Sequence, residues 1–377
     1  MDLRSLLTHW WLWLFVVFCL ITLIQLFYYL YFFLRLAIFK PKLRAKSQTQ
    51  PVSVIICARD EAHNLEQNLP AVLAQGYQST HEVIVVNDNS FDDTKFFLEE
   101  LSKIFKKLRP INLTQEAKHI PGKKYPLSIG IKSCKHEVML LTDADCMPTS
   151  PSWIEKMQEG YQDGIEIVLG YGGYKKKNGL LNKLIRFETF HTAIQYLSYA
   201  LAGKPYMGVG RNISYRKGLF YKVKGFSSIN HIPGGDDDLF INKVGNKTNT
   251  TIVVDKAAFT LSEPPSTFYQ WWRQKTRHYS TARFYKPGHK FLLGLYSASY
   301  FFFYPLFVLS LIYFDWRITL GVFGLRFIAQ ATIWYTTMKR LGEKDLYSLF
   351  LFFDIWQFFY LIIFSFSLVQ KPRSNWK

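Results

Sequence analysis

Apolar positions in this chain follow two patterns. Four stretches stay apolar for longer than a globular core element needs: residues 10–39 (WWLWLFVVFCLITLIQLFYYLYFFLRLAIF) and, roughly, 291–314, 318–338 and 347–369. A helix crosses a bilayer with about 20 apolar residues, so each stretch predicts a membrane helix. The first carries one charge, Arg35, near its end, where the guanidinium can reach the interface. It is too long for a removable leader, and no small-residue cleavage site follows it. Between the first stretch and the other three, short apolar runs alternate with helical spacing. VSVIICA (52–58), EVIVVND (82–88) and EVMLLTD (137–143) are nearly continuous in apolar residues, as expected of strands covered on both faces of a parallel sheet. HNLEQNLPAVLAQ (63–75) reads as a helix. This alternation predicts a doubly wound α/β sheet, in which ligands bind beyond the carboxyl ends of the strands. Two later segments, 180–201 with helical apolar spacing and the basic, aromatic 263–284, are expected at the membrane interface.

The pattern explains the composition. Mean hydropathy is zero although 49% of residues are hydrophobic and 18% aromatic, because membrane helices and a polar domain average out. Disorder and a collagen-like chain are excluded. The four cysteines sit in unrelated contexts and read as buried free thiols, not as a disulfide framework or a zinc site. Half of the +18 net charge lies outside residues 51–290, which points to membrane orientation and anionic head groups. No nucleic-acid reading motif accompanies the basicity. The basic segments KPKLRAK (40–46) and MKRLGEKD (338–345) place the central domain in the cytoplasm and the N-terminus outside. Lys371, Arg373 and Lys377 then fall on the outer side, against the rule. Arg326, Asp354 and Gln357 lie within apolar runs; they predict an Arg326–Asp354 pair or a polar lining for an acceptor path.

Candidate chemistry collects at the strand ends. The first strand ends at Asp60 and Glu61, the second at Asp88, the third at Asp143 and Asp145. Asp88 also suits a helix cap. Asp143 and Asp145 in TDADC suit Mg²⁺ or Mn²⁺, which take one or two carboxylates and complete their shell with phosphate and water. Lys123 and Lys124 can add positive charge for the same phosphates or stand solvated at the surface. In GGDDDL the adjacent Asp236, Asp237 and Asp238 repel one another, so at least one pKa should be raised. A raised carboxylate suits a general base, and acids also favour a helix N-terminus.

Taken together, CARDE, VVNDNS, TDADC, GGDDDL and QKTRH, in this order over residues 51–285, resemble the family 2 glycosyltransferases of GT-A fold. The membrane-integrated members are most similar: chitooligosaccharide, hyaluronan and cellulose synthases and ceramide glucosyltransferase. The resemblance implies a Rossmann-like nucleotide-sugar transferase domain (51–285) between transmembrane helices, with a short tail (1–9), a first helix (10–39), a basic linker (40–50) and a membrane region of about three helices (286–377). It implies an inverting, metal-dependent hexosyl- or N-acetylhexosaminyltransferase. Its donor would be a nucleoside diphosphate sugar, UDP-linked, and its acceptor a lipid or lipid-linked sugar. The location would be the cytoplasmic face of a bacterial cytoplasmic membrane. Ala58, Asp60, Glu61 and Asp88 would lie near the nucleotide, Lys124 near the diphosphate, and Asp143 and Asp145 would form the DxD pair with Asp145 the stronger metal ligand. Asp236 would be the base, or Asp237 in a register shifted by one; Gly235 stands where the family usually has an acid. Gln274 and Arg277 match QxxRW near the diphosphate and acceptor, with His278 replacing Trp; Gln270 with Arg273 also reads QxxR, and the first frame is preferred because Glu263, Pro265 and Thr267 match the usual lead-in. The smaller, more polar His face argues against a processive synthase of a short β-linked polymer, which is the alternative activity. A transporter with a nucleotide-sensing domain is the distant alternative, disfavoured by the lack of internal symmetry.

Overall fold

A computed structural model describes residues 10–41, 50–115, 120–162 and 164–365. The short tail, most of the basic linker and the cations at 371, 373 and 377 lie outside them. The elements run α1 (Trp10–Ala37), β1 (Val52–Ala58), α2 (Ala62–Leu73), β2 (His81–Asp88), α3 (Thr94–Ile104), β3 (Leu108–Leu113), α4 (Lys124–Ser133), β4 (Val138–Leu141), β5 (Cys146–Pro148), α5 (Trp153–Gln158), β6 (Ile167–Leu169) and β7 (Gly172–Tyr174). They continue as α6 (Leu180–Leu201), β8 (Ile213–Arg216), α7 (Lys217–Lys222), α8 (Asp238–Val244), β9 (Thr250–Ile252), β10 (Thr260–Ser262), α9 (Phe268–Tyr279), α10 (Pro287–Tyr313), α11 (Trp316–Arg340) and α12 (Phe350–Ser365).

Every residue of β1 is buried, as its unbroken apolar run requires. The main sheet has the order β3-β2-β1-β4-β8-β6-β9. Its first four strands are parallel. β8 then enters antiparallel to both β4 and β6, so the doubly wound pattern covers the first half and the second half is mixed. β4 stops at Leu141, which leaves Asp143 and Asp145 in the loop beyond the strand. A smaller sheet, β5-β10-β7, flanks that loop.

Four helical segments are long and apolar enough to cross a membrane: Trp10–Ala37, Pro287–Tyr313, Trp316–Arg340 and Lys344–Phe364. The expected Arg326–Asp354 pair forms, and both groups are buried. Tyr300 and Tyr304 donate to the Asp354 carboxylate at 2.7 Å each and Gln330 at 2.8 Å. Arg326 donates its Nε to Gln25 on α1 at 2.7 Å, so one network ties four helices.

The two segments expected at the interface are the joint between domain and bundle. α6 is buried along most of its length rather than on one face. Phe187 stacks on Phe353 with ring centroids 4.3 Å apart, and Tyr199 stacks on Phe32 at 4.3 Å. Arg186, next to Phe187, donates to Glu343 and to Asp345, and Tyr171 donates to Glu343 at 3.1 Å. The polar loop between α11 and α12 is thereby latched to the domain. α9 seats Trp271 against Tyr360 and Phe364. α12 thus meets domain elements at both ends, α6 near its start and α9 near its finish.

Candidate active site

The chain leaves β1 and β2 through left-handed residues, Asp60 (φ 53°) and Asn89 (φ 52°). That conformation is uncommon outside glycine and clusters at functional sites. The Asp60 carboxylate accepts the Phe91 N–H at 2.8 Å, and the Glu61 N–H donates to Thr94 Oγ1 at 3.0 Å, binding the two loops together. Asp88 does not cap α3: the preceding residue there is Asp93, the Thr94 N–H goes to Asp92, and Asp88 is buried 4.0 Å from Arg59. Of the residues expected near a nucleotide, Glu61 lines the large cavity described below, while Ala58 is buried at the end of β1.

The strand-end acids meet around a lysine. Lys123, at the start of α4, donates to Asp143 at 2.8 Å and lies 3.2 Å from Asp236. Burial opposes its charge, but Asp143, Asp236 and Asp237 outweigh it and hold the Lys123 pKa well above the usual value. The same ammonium overcomes burial at Asp143 and keeps that carboxyl below its usual range. Asp145 has no such partner at hand: burial and the Asp143 charge push it up to about 6. Lys124 points elsewhere. Its ammonium is taken by the carbonyls of Ile232 and Gly234, where it braces the loop before the acid triplet. The lysine among the carboxylates is therefore Lys123 and not Lys124.

Within the triplet, each acid has its own surroundings. Asp236 pairs with Lys123. Asp237 accepts the Gly210 N–H and the Asp238 N–H, each at 2.7 Å, and caps α8. Burial and its neighbours Asp236 and Asp238 push Asp237 up to about 7. Asp238 is tied by Thr281 Oγ1, by Tyr285 OH at 2.8 Å and by the Leu239 N–H. Gly235 explains its departure from the family pattern: its φ is +85°, and a Cβ there would sit 2.5 Å from Leu239 Cδ1. Gly210 also has no room for a side chain, which would meet Lys123 Nζ at 2.9 Å.

Asp143, Asp145 and Cys146 bring potential ligand atoms within 4.8 Å of one another. Cys146 is not suited to a hard cation, because burial and the two aspartates hold its thiol protonated. The two carboxylates are suited, and the strain on Asp145 is what a divalent cation would relieve.

α9 supplies the other wall. Thr267 caps it by accepting the Gln270 N–H at 3.2 Å. Trp271, Lys275 and Tyr279 share the face turned to the bundle, with Lys275 paired to Glu188. Gln274, Arg277 and His278 line the cavity, and Gln274 accepts the Tyr174 hydroxyl at 3.1 Å. Desolvation, then the surrounding cations Lys275, Arg277, Arg211 and Lys123, lower the His278 pKa below its usual value.

All these groups open onto one cavity of about 1450 Å³, larger than the roughly 300–1,000 Å³ of a single small-ligand site. It runs from Asp143, Asp145, Asp236 and Asp237 to Phe301 on α10 and Leu361 on α12. Sequence reasoning missed Arg211, whose guanidinium lies 4.5 Å over the Tyr174 ring on the cavity wall. Its signal was present in GVGRN, where a glycine next to an arginine marks a close approach of backbone to charge. Glu188 and its lysine carried no signal, since they are 87 residues apart in sequence.

The family described as Glycosyl transferase family 2 matches residues 53–224, and Glycosyl transferase family group 2 matches residues 140–366. A probable glycosyltransferase of Bacillus subtilis, YdaM, is 25% identical over 390 aligned residues, spanning 88% of this chain and 86% of that protein. An uncharacterized glycosyltransferase of Haemophilus influenzae is 35% identical over 106 residues, 28% of this chain and 31% of its own. Among solved structures, the mannosyltransferase PcManGT of Pyrobaculum calidifontis, in complex with GDP-Man and Mn²⁺, superposes with a TM-score of 0.56 at 16% identity, over 90% of this chain and 99% of that one.

Proposed function

The chain belongs to glycosyltransferase family 2 and has the GT-A fold, and from that premise we propose that it moves a sugar from a nucleoside diphosphate, UDP in the first instance, to a hydroxyl of a lipid or lipid-linked acceptor, with inversion at the anomeric carbon. The observation that carries the reading is the single cavity joining the strand-end acids to the apolar helices α10 and α12. A soluble acceptor needs no such opening. The donor half resides at the ends of β1, β2 and β4, where Glu61 and the loops around Asp60 and Asp88 face a nucleotide, and PcManGT binds its own nucleotide sugar within the same fold. The basic segments flanking α1 and α11 support a cytoplasmic domain, over residues 51–285, where nucleotide sugars are made.

In this mechanism Asp236 accepts the acceptor's hydroxyl proton as the oxygen attacks the anomeric carbon and the bond to the diphosphate breaks. Lys123 holds the Asp236 carboxylate in place and, with Arg277, offsets charge on the departing diphosphate. Asp143 and Asp145 would hold Mg²⁺ or Mn²⁺, which supplies further neutralisation of that leaving group. Gln274, set by Tyr174, and His278 form the wall against which the acceptor lies. A second reading gives the base role to Asp237, because its pKa of about 7 matches a base working near neutrality.

The test uses membranes from an expressing strain, labelled UDP- and GDP-sugars, and EDTA. Transfer to the lipid fraction that EDTA abolishes is the expected result. Transfer only to water-soluble products would sink the lipid acceptor, and a ladder of product sizes would favour the processive alternative.

A further inference from the structure

The domain and the bundle close over α6, yet one side of it reaches the cavity. Between Leu184 and Ala200 every residue is buried except Thr192 and Gln195. With Glu188 these stand at i, i+4 and i+7, so they share one face, and all three line the cavity. Their directions are fixed by neighbours. Thr192 donates its hydroxyl to Glu188 at 2.9 Å. The Gln195 amide donates to His191 Nδ1 at 3.1 Å, and His191 Nε2 meets the Tyr296 hydroxyl at 3.1 Å. The face holds no uncompensated charge: Glu188 is paired with Lys275, and burial lowers the His191 pKa to about 3. α12 supplies the facing wall. Phe353, Gln357 and Tyr360 lie at i, i+4 and i+7 on it. Phe353 stacks on Phe187 of α6, and Tyr360 stands beside Glu188. Gln357, between them, is therefore turned toward α6. It is 4% exposed, lines the cavity and makes no hydrogen bond among the described residues. A buried amide without a partner is costly and points to a ligand group that completes it.

We propose that this face of α6 and Gln357 form a sugar-binding subsite, so that the acceptor is a lipid already carrying an uncharged sugar. This rests on the transfer reading above and narrows its acceptor. The Thr192 hydroxyl, its proton given to Glu188, and the Gln195 carbonyl accept; the Gln357 amide both donates and accepts. Sugar hydroxyls also do both, and several lie close together on one ring. From Glu188 to Gln195 the face runs about 10 Å along the helix, more than a single glycerol hydroxyl can fill. A phosphate here would face the Glu188 carboxylate. The subsite begins beside the catalytic wall, because Lys275, the partner of Glu188, follows Gln274 on α9. In the other direction Phe301 of α10 and Leu361 of α12 give the cavity an apolar end for the hydrocarbon chain.

The experiment uses the full chain, purified in a sugar-free detergent without donor. It is mixed with equal amounts of diacylglycerol, phosphatidylglycerol and the glucosyl, galactosyl and mannosyl forms of diacylglycerol. Native mass spectrometry reads which lipid is retained. At least one glycosyl form is expected to be retained roughly tenfold above both sugar-free lipids, the worth of a few extra hydrogen bonds. The double variant Thr192→Val/Gln195→Leu and, separately, Gln357→Leu should lose most of that preference. Both should keep the diacylglycerol signal and the melting temperature, which shows that they fold. Lys103→Gln, on the exposed side of α3, should change nothing. Equal retention of diacylglycerol and all three glycosyl forms would overturn the sugar subsite. So would a preference for phosphatidylglycerol, or a sugar preference that survives both variants. Failure of UDP with Mn²⁺ to bind the same preparation would instead strike the transfer reading and leave the glycolipid result standing.

Discussion

Two clusters of buried charge sit in this protein and they are built differently. In the bundle, the Asp354 carboxylate receives donors from Arg326, Gln330, Tyr300 and Tyr304, and the Arg326 Nε finds Gln25. Every charge there is met, as burial among apolar helices demands. At the strand ends, five aspartates (143, 145, 236, 237 and 238) crowd around one lysine positioned to pair with two of them. Asp145 and Asp237 are left with raised pKa values. A saturated cluster holds helices together and has nothing left to bind. An undersaturated one keeps its demand for a cation and for a proton, which is what transfer chemistry uses.

The sharpest way to break this contrast is to remove one charge from each side. Asp236→Asn should lower transfer by roughly 10²–10⁴-fold while the melting temperature barely moves. Full activity in this variant, with loss in Asp237→Asn, would move the base role to Asp237. Arg326→Leu should do the reverse, costing about 3–5 kcal/mol of stability by stranding Asp354. The double variant Arg326→Leu/Asp354→Leu should recover most of that loss in thermal unfolding, because no charge is stranded.

A finer test is pH. The folded pKa of Asp145, about 6, lies above its unfolded value near 3.9. Its contribution to stability is therefore present below about pH 4 and lost as pH rises through 6, where its anion stands beside the Asp143 charge. Mn²⁺ should relieve this, so its stabilising effect is largest above pH 7. Below pH 6 the proton competes, and apparent Mn²⁺ affinity should fall by about tenfold per unit. Calorimetric titration of Mn²⁺ at pH 5 and 7.5 checks it, and equal affinities would remove Asp145 from the ligand set. The smallest expected effect is at Gly235. Restoring the family's acid as Gly235→Glu should cost about 1–3 kcal/mol through its left-handed backbone, read as a lower melting temperature, and should gain no activity.

Much of this was legible in the sequence because periodicity and spacing are local. The unbroken runs at 52–58 and 82–88 are the buried strands β1 and β2, the apolar stretches are the long helices, and Arg326 does pair with Asp354. What stayed hidden was direction and distance. Lys123 is the cap just before a helix whose first residue is Lys124, so the two side chains leave the backbone in different directions. One meets the acids and the other braces a loop, a difference that no pattern of residue types carries. The antiparallel β8 follows from packing across the sheet. The cavity between α9, α10 and α12 is a product of tertiary docking, which composition does not encode. The segment at 180–201 reads as amphipathic, but it has no polar face to spare once both the domain and the bundle close over it.

The docking of α12 bears on how freely the domain can turn against the bundle. Phe187 on α6 and Trp271 on α9 grip this helix at two places, while Arg326 on α11 holds it through Asp354. Any rotation of the domain against the bundle has to break both aromatic contacts at once.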